Sequence, residues 1–441
     1  MKGTEFLVDA VVQEGVDHVF LVPGGLIDAF YPTLCATKGL RAIIAAHEGG
    51  AAYMADGYAR ASGKFGVCFA IGGPGGAKTV GGLATAVTDQ SPMLLITGEV
   101  ATNLEGLGGF QDASPDGIDD ISILKTVTRL SLSIENPKIL RQHLHQALAA
   151  MLGHTRGPVH LSVPTDVQQA EIEHHYHPST EFLRRFGTAD DGAVNAVWDR
   201  LDGNAIKVAI LAGAGTEAGE GPALLRAFAE RFQIPVATTL RAKGVLPEDH
   251  PLSLGVFGYA GTRHAIEALL NNGLDVLVVL GSGLNQRDTL FWNRGLRSCK
   301  SLVQVDKNPE QIGAAYAVDL PIVGHCEAVL RRLLDAPAGR SASFAATGTK
   351  RKQWVDGIRK LPRLFEVENC ASDAVPIHPA RVIRELRRSS WIPVLTGRSP
   401  ATIGRPTSHG STSRRRIWGR WVGRFPRRLA LRPRGRTRRA S

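Results

Sequence analysis

Ile43-Ile44-Ala45-Ala46-His47-Glu48-Gly49-Gly50-Ala51-Ala52-Tyr53-Met54-Ala55-Asp56-Gly57-Tyr58-Ala59-Arg60 is the stretch on which the reading of this chain turns. An apolar strand runs straight into a helix of small residues and delivers one carboxylate, Glu48, to the mouth of that helix. Glycines and alanines at 49–52 leave room for a flat group beside it. A carboxylate is costly to bury alone, so a partner must satisfy it or its proton affinity must rise. Two readings stand at this point: an acid placed to meet a ligand, or an acid that caps a helix start.

Outward from this stretch, short apolar runs alternate with helical segments, the pattern of a parallel sheet wrapped by helices. Strands are expected at His18–Val22, Arg41–Ala46, Gly66–Ile71, Met93–Thr97, Thr126–Ser131 and Val159–Val163. Helices are expected at Gly3–Gln13, Gly49–Ala61, Gly76–Asp89 and Pro137–Leu152. Glycine turns, Pro23-Gly24-Gly25 and Gly72-Gly73-Pro74-Gly75-Gly76, fall at strand C-terminal ends, where open parallel sheets bind ligands. The alternation resumes with strands at Lys207–Ala212, Ile234–Thr238, Val276–Leu280 and Ser301–Val305. Gly213-Ala214-Gly215 follows the first of these, but the next glycine, Gly219, has the wrong spacing for a dinucleotide fingerprint. The expected fold class is α/β: two three-layer α/β/α domains with mainly parallel sheets, the start of a third, and a disordered basic tail. The boundaries are 1–170, a linker at 171–191, a Rossmann-like domain at 192–335, a linker at 336–378 that is rich in Ala, Ser and Gly at first and then helical, a helical start at 379–388 and the tail at 389–441. His174, His175 and His177 in the first linker invite a metal, but no cysteine or second histidine pair supports them, and a solvated linker is favoured.

A chain of 441 residues suits two or three domains. Its five cysteines are widely spaced, with no CxxC pair, as expected of reduced thiols in a cytoplasmic protein. No secretory or membrane-spanning segment is visible. The net charge of +11 is uneven: residues 389–441 hold 14 arginines and no lysine or acid, which leaves −3 on residues 1–388.

Several motifs occur in one order over residues 3 to about 388: Phe20-Leu21-Val22-Pro23-Gly24-Gly25, then Glu48, then Gly73-Pro74-Gly75-Gly76-Ala77, Asp89-Gln90-Ser91-Pro92-Met93, Phe110-Gln111 and Val127-Thr128-Arg129. Together they resemble the thiamine-diphosphate (ThDP) enzymes of the acetolactate synthase type. The resemblance implies that Glu48 hydrogen-bonds the cofactor's aminopyrimidine ring and that Pro23, Gly24, Gly73 and Pro74 approach that ring. The resemblance also implies that Lys78, standing where asparagine is common, contacts the cofactor on its pyrimidine side, and that Arg129, where lysine often stands, is catalytic along with Glu48. Phe110 and Gln111 match a pair at the reacting end of the cofactor. Leu254–Thr262, containing Gly258, resembles a segment that contacts FAD in flavin-containing members, with Gly213, Gly215, Thr238 and Asp306 in matching places. Many relatives lack flavin, so FAD stays open.

The function implied is decarboxylation of a 2-oxo acid with carbon–carbon bond formation, acetolactate synthesis leading, another ThDP decarboxylase or lyase being the alternative. A homo-oligomer or association with related subunits is implied, and no membrane. In this family the diphosphate and Mg²⁺ are held by a Gly-Asp-Gly…Asn motif, expected after residue 388 and missing from the text there. Read from each codon's third base, Trp391-Ile392 forces Asp, and Trp418-Gly419 and Trp421-Val422 each force Gly around an admitted Pro-Met. That shifted text resembles the opening of the family's third domain. A frameshift near Leu386–Ser390 is therefore expected, leaving a chain inactive alone or a non-catalytic remnant that binds related subunits. The rival reading of the tail, an arginine-rich nucleic-acid arm, is disfavoured: no specific nucleic acid is expected.

Overall fold

A computed structural model of the chain describes residues 1–153, 155–172, 176–178, 191–202, 204–335, 338–365 and 367–388. His174 and His175, most of the 171–191 linker and the 389–441 tail lie outside the described residues. Two six-stranded, wholly parallel sheets form the framework.

The first sheet contains β1 (His18–Leu21), β2 (Arg41–Ile44), β3 (Gly66–Ile71), β4 (Met93–Glu99), β5 (Leu130–Ser133) and β6 (Pro158–Pro164), in the order β2-β1-β3-β4-β6-β5. β4 and β6 pair in register from Met93–Pro158 to Glu99–Pro164, and all seven residues of each are buried. Such continuous apolar runs are what a strand covered by helices on both faces requires. The helices Gly3–Gln13 and Leu140–Leu152 cover one face, and Glu48–Ser62 and Pro74–Asp89 the other. β2 is different. It is an edge strand, with Ile44 68% exposed, so the apolar run before Glu48 is surface and not core.

The second sheet contains β7 (Val208–Ala212), β8 (Val236–Thr238), β9 (Ser253–Val256), β10 (Val276–Leu280), β11 (Ser301–Asp306) and β12 (Leu320–Val323), in the order β12-β11-β10-β7-β8-β9. Successive crossovers run outward in opposite directions from β7 and β10, which makes the crevice between them a topological switch point. The segment read as the second linker is structured in large part. Helices Ala338–Ala346 and Gly348–Arg359 pack on this sheet, with Phe344 and Arg351 fully buried. The Arg351 guanidinium lies 3.7 Å over the Phe344 ring and donates to the carbonyls of Phe232, Ala205 and Phe344. The strand expected at Thr126–Ser131 begins only at Leu130, because Thr128 Oγ1 donates back to the Leu124 carbonyl and closes the preceding helix.

Candidate functional site

After β2, His47 caps the next helix: its Nδ1 accepts the Gly49 N–H at 3.0 Å. That assigns the capping duty to His47 and leaves the Glu48 carboxylate free for another role. Glu48 is 7% exposed, and among the described residues its partner is Lys78, whose Nζ lies 3.4 Å from Oε2. Burial, with the Glu48 charge adding, pushes the neighbouring Cys68 thiol up to about 12.

The small residues beside Glu48 serve packing more than ligand clearance. A Cβ on Gly82 would lie 2.5 Å from Ala52 Cβ, and one on Gly49 would lie 3.1 Å from the Lys78 carbonyl. The two helices therefore touch almost backbone to backbone, which is what lets Lys78 reach Glu48. Only Gly50, of the two glycines here, opens onto empty space.

The ends of β2, β1 and β3 are neighbours, so their following loops gather Glu48, Pro23–Gly24 and Gly73 at one sheet edge. Pro23 is exposed; Gly24 packs where a Cβ would strike Ile71 Cγ2 at 2.4 Å. The Tyr31 hydroxyl accepts the Gly24 N–H at 2.6 Å and donates to its carbonyl at 3.0 Å. Gly73 has φ +64°, a left-handed conformation that suits glycine, and Pro74 opens the helix that carries Lys78. The Gln111 carbonyl would lie 3.7 Å from a Cβ on Gly73, so Gln111 backs onto this turn. Phe110 projects outward, 85% exposed.

Arg129 does not join them. It precedes β5, at the opposite margin of the sheet and the opposite end of its strands. Five inter-strand spacings of ~4.8 Å put roughly 24 Å between those margins. Its backbone N–H donates to the Pro158 carbonyl at 2.7 Å, so Arg129 starts a strand and is separated from the Glu48 edge within this fold.

Two buried acids went unforeseen. Asp120 is fully buried; its Oδ2 accepts the Gly73 N–H at 3.0 Å, and Oδ1 has no hydrogen-bond partner. Burial pushes its carboxyl up to about 7 against the Gly73 hydrogen bond, and the charge of Glu99 adds to the rise. Glu99 Oε1 accepts the N–H groups of Val100 and Ala113, Oε2 is unpartnered, and burial raises this carboxyl too. The Asp119-Asp120 doublet before an apolar helix was the available signal.

At the switch point of the second sheet lies a crevice of about 110 Å³, lined by residues including Gly215, Thr239, Arg241, Asp306 and Lys307. Gly213 and Gly215 are glycines because the loops after β7 and β10 meet there: added Cβ atoms would fall 2.3 Å from the Gly281 carbonyl oxygen and 2.7 Å from its Cα. Thr238 is buried in β8, and a Cβ on Gly258 would lie 2.3 Å from the Arg287 carbonyl oxygen, so both serve packing beside the crevice. Arg241 is tied to Asp89 at 2.6 Å. Burial holds the Lys307 ammonium down at about 8, with Arg156 adding and Asp306 opposing. Lys307 suits a phosphate, and Asp306, whose carboxyl burial raises, suits a ribose hydroxyl. Small-molecule sites commonly enclose about 300–1,000 Å³. At about 110 Å³ the crevice lies below that range and does not enclose a whole FAD. Among the described residues no group of His, Cys, Asp and Glu could hold a metal ion, and no helix is long and apolar enough to cross a membrane.

Residues 1–122 match the family described as thiamine pyrophosphate enzyme, N-terminal TPP binding domain, and residues 194–333 match its central domain. The chain is 35% identical over 392 residues to a probable acetolactate synthase large subunit of Methanocaldococcus jannaschii, covering 88% of this chain and 63% of that protein. It is 34% identical over 367 residues to the acetolactate synthase large subunit of Corynebacterium glutamicum, covering 83% and 56%. It is 33% identical over 395 residues to a Mycobacterium tuberculosis protein provisionally described as an acetolactate synthase large subunit, covering 88% and 69%. The aligned part thus spans between about half and two thirds of these relatives' lengths. The chain belongs to the thiamine-pyrophosphate enzymes, among those of the acetolactate synthase large-subunit type.

Proposed function

We propose that this chain supplies the pyrimidine-binding half of a ThDP site used to decarboxylate a 2-oxo acid and join the fragment to a second carbonyl compound, as in acetolactate synthesis from pyruvate. The observation that carries the reading is Glu48: a buried carboxylate, relieved of capping by His47, beside the turns at Pro23–Gly24 and Gly73–Pro74. When bound, ThDP supplies the electron sink for decarboxylation. Glu48 accepts the ring N1′–H and holds a proton at that nitrogen, in a setting where a charged hydrogen bond outweighs its value in water. Gly73 and Gly24 give the ring an approach to backbone. Gln111, on the Gly73 turn, and Phe110 at the rim orient the acceptor. Arg129 has no part at this edge. FAD at the second-sheet crevice enters no step, and flavin absorbance of the purified protein tests it.

The face around Glu48 exposes Ile44, Tyr53, Met54 and Phe110, and we expect a second subunit, identical or related, to cover it. The family's Gly-Asp-Gly anchor for diphosphate and Mg²⁺ does not occur within the 441 residues, so these residues are proposed to supply the pyrimidine side alone. The chain alone is accordingly expected to consume no pyruvate above background with ThDP and Mg²⁺. Residues 1–388 joined to the C-terminal domain of the Methanocaldococcus relative are expected to make acetolactate, and E48Q in that chimera to lose about 100-fold or more. Acetolactate production by the chain alone, or unimpaired E48Q turnover, refutes the proposal.

A further inference from the structure

The ion pair at the mouth of the site has unequal members. The Glu48 side chain is fixed at a helix start and 9% exposed, whereas that of Lys78 is 49% exposed on a flexible four-carbon stem. They meet because the helices Glu48–Ser62 and Pro74–Asp89 approach at Ala52 and Gly82. A buried carboxylate without a partner is strongly penalised, so the ammonium stabilises the site before any ligand enters. Lys78 itself loses little by leaving, since water receives its charge.

We propose that Lys78 is an internal competitor for Glu48: its ammonium holds the carboxylate until a ring N–H arrives and displaces it. The inference rests on the reading of Glu48 as the acceptor of a ring nitrogen. The exchange changes one bond: the entering ring takes up a proton from water at its ring nitrogen. Lys78 keeps its own proton and swings into solvent, and the resulting ring N–H donates to the same carboxylate. The small-residue contact between the helices then sets how firmly the site is closed, because it fixes the reach of Lys78. Such an arrangement makes the free carboxylate unavailable to solvent cations, and it trades some ligand affinity for a satisfied empty site.

The test uses the full chain, acetic anhydride labelling of lysines read at Lys78 by mass spectrometry, and 4-amino-2-methylpyrimidine as the probe, its binding followed by ligand-observed NMR. E48Q is expected to raise the Lys78 labelling rate about two- to fivefold, the range of a partly exposed ion pair. Saturating probe is expected to do the same in the wild type, and K78M to tighten probe binding by a similar factor. Unchanged labelling in E48Q overturns the ion pair. Probe binding that leaves labelling unchanged, or weaker binding by K78M, overturns the competition. If E48Q raises labelling while the probe binds wild type and E48Q alike, the pair stands, and the reading of Glu48 falls together with the competition. K78M, a change at a half-exposed position, keeps the test decisive should E48Q fold poorly.

Discussion

Replacing Asp120 by asparagine is expected to abolish a pH dependence of stability carried by the wild type. The folded carboxyl sits at about 7, against 3.8 for the free group, because it is buried under the Gly73 turn. Over that interval the folded state keeps a proton that the unfolded chain releases, so stability falls as pH rises from 3.8 towards 7 and then levels off. Between about pH 5 and pH 8 the loss amounts to about 2.5 kcal/mol, at ~1.4 kcal/mol per pH unit. A domain's whole stability is commonly about 5–15 kcal/mol, so a change of that size is readily measured. Asparagine retains a carbonyl to accept the Gly73 N–H, so the turn survives while the ionisation disappears. Urea unfolding of both proteins at the two pH values is the assay: D120N should gain on wild type by about 2.5 kcal/mol as pH rises from 5 to 8. Parallel pH profiles would refute the assignment of Asp120 as a buried, proton-bearing acid.

His160 is fully buried between Thr97 Oγ1 and Ser131 Oγ, each at 2.8 Å, and burial holds its imidazole down at about 3. Its contribution is present above the free value of 6.5 and drains away as pH falls towards 3, so H160Q should flatten the acid limb of the stability profile. R351M strips donors from three buried carbonyls and from Thr347 Oγ1, and should cost at least about 3 kcal/mol by chemical denaturation. G82V drives a side chain into Ala52 and should cost about 1–3 kcal/mol in the same assay, while raising Lys78 labelling as the helices part.

The strands with long apolar runs bounded by glycine were legible from composition alone, and β3 and β10 begin and end where expected. β9 was hidden because Gly255, at φ +83°, interrupts it and its register slips by a residue between Val236 and Ala237. β12 was hidden because it is a short edge strand containing Pro321, with Ile322 alone fully buried. Helix Gly348–Arg359 falls in the part of the linker read as helical; its docking on the core was hidden because, beside Val355 and Ile358, its most buried side chain is an arginine, a residue seldom buried without partners. At the site, Glu48 and Gly73 each follow a strand of one parallel sheet, which puts both at its C-terminal edge, and the Gln111 carbonyl backs onto Gly73. Arg129 came from the resemblance alone, and a motif's position along the chain carries no information on which end of a strand it occupies; here it starts β5, away from the Glu48 edge. Lys78 as a partner of Glu48 depends on two helices touching at Ala52 and Gly82, a contact between residues 30 apart in the chain.

The most direct trial of the account is the ¹⁵N spectrum of labelled 4-amino-2-methylpyrimidine with the full chain and with E48Q. Binding to the wild type should move the ring-nitrogen resonance towards its protonated position, and E48Q should leave it where it lies in buffer. Identical shifts with both proteins would mean that Glu48 holds no ring nitrogen.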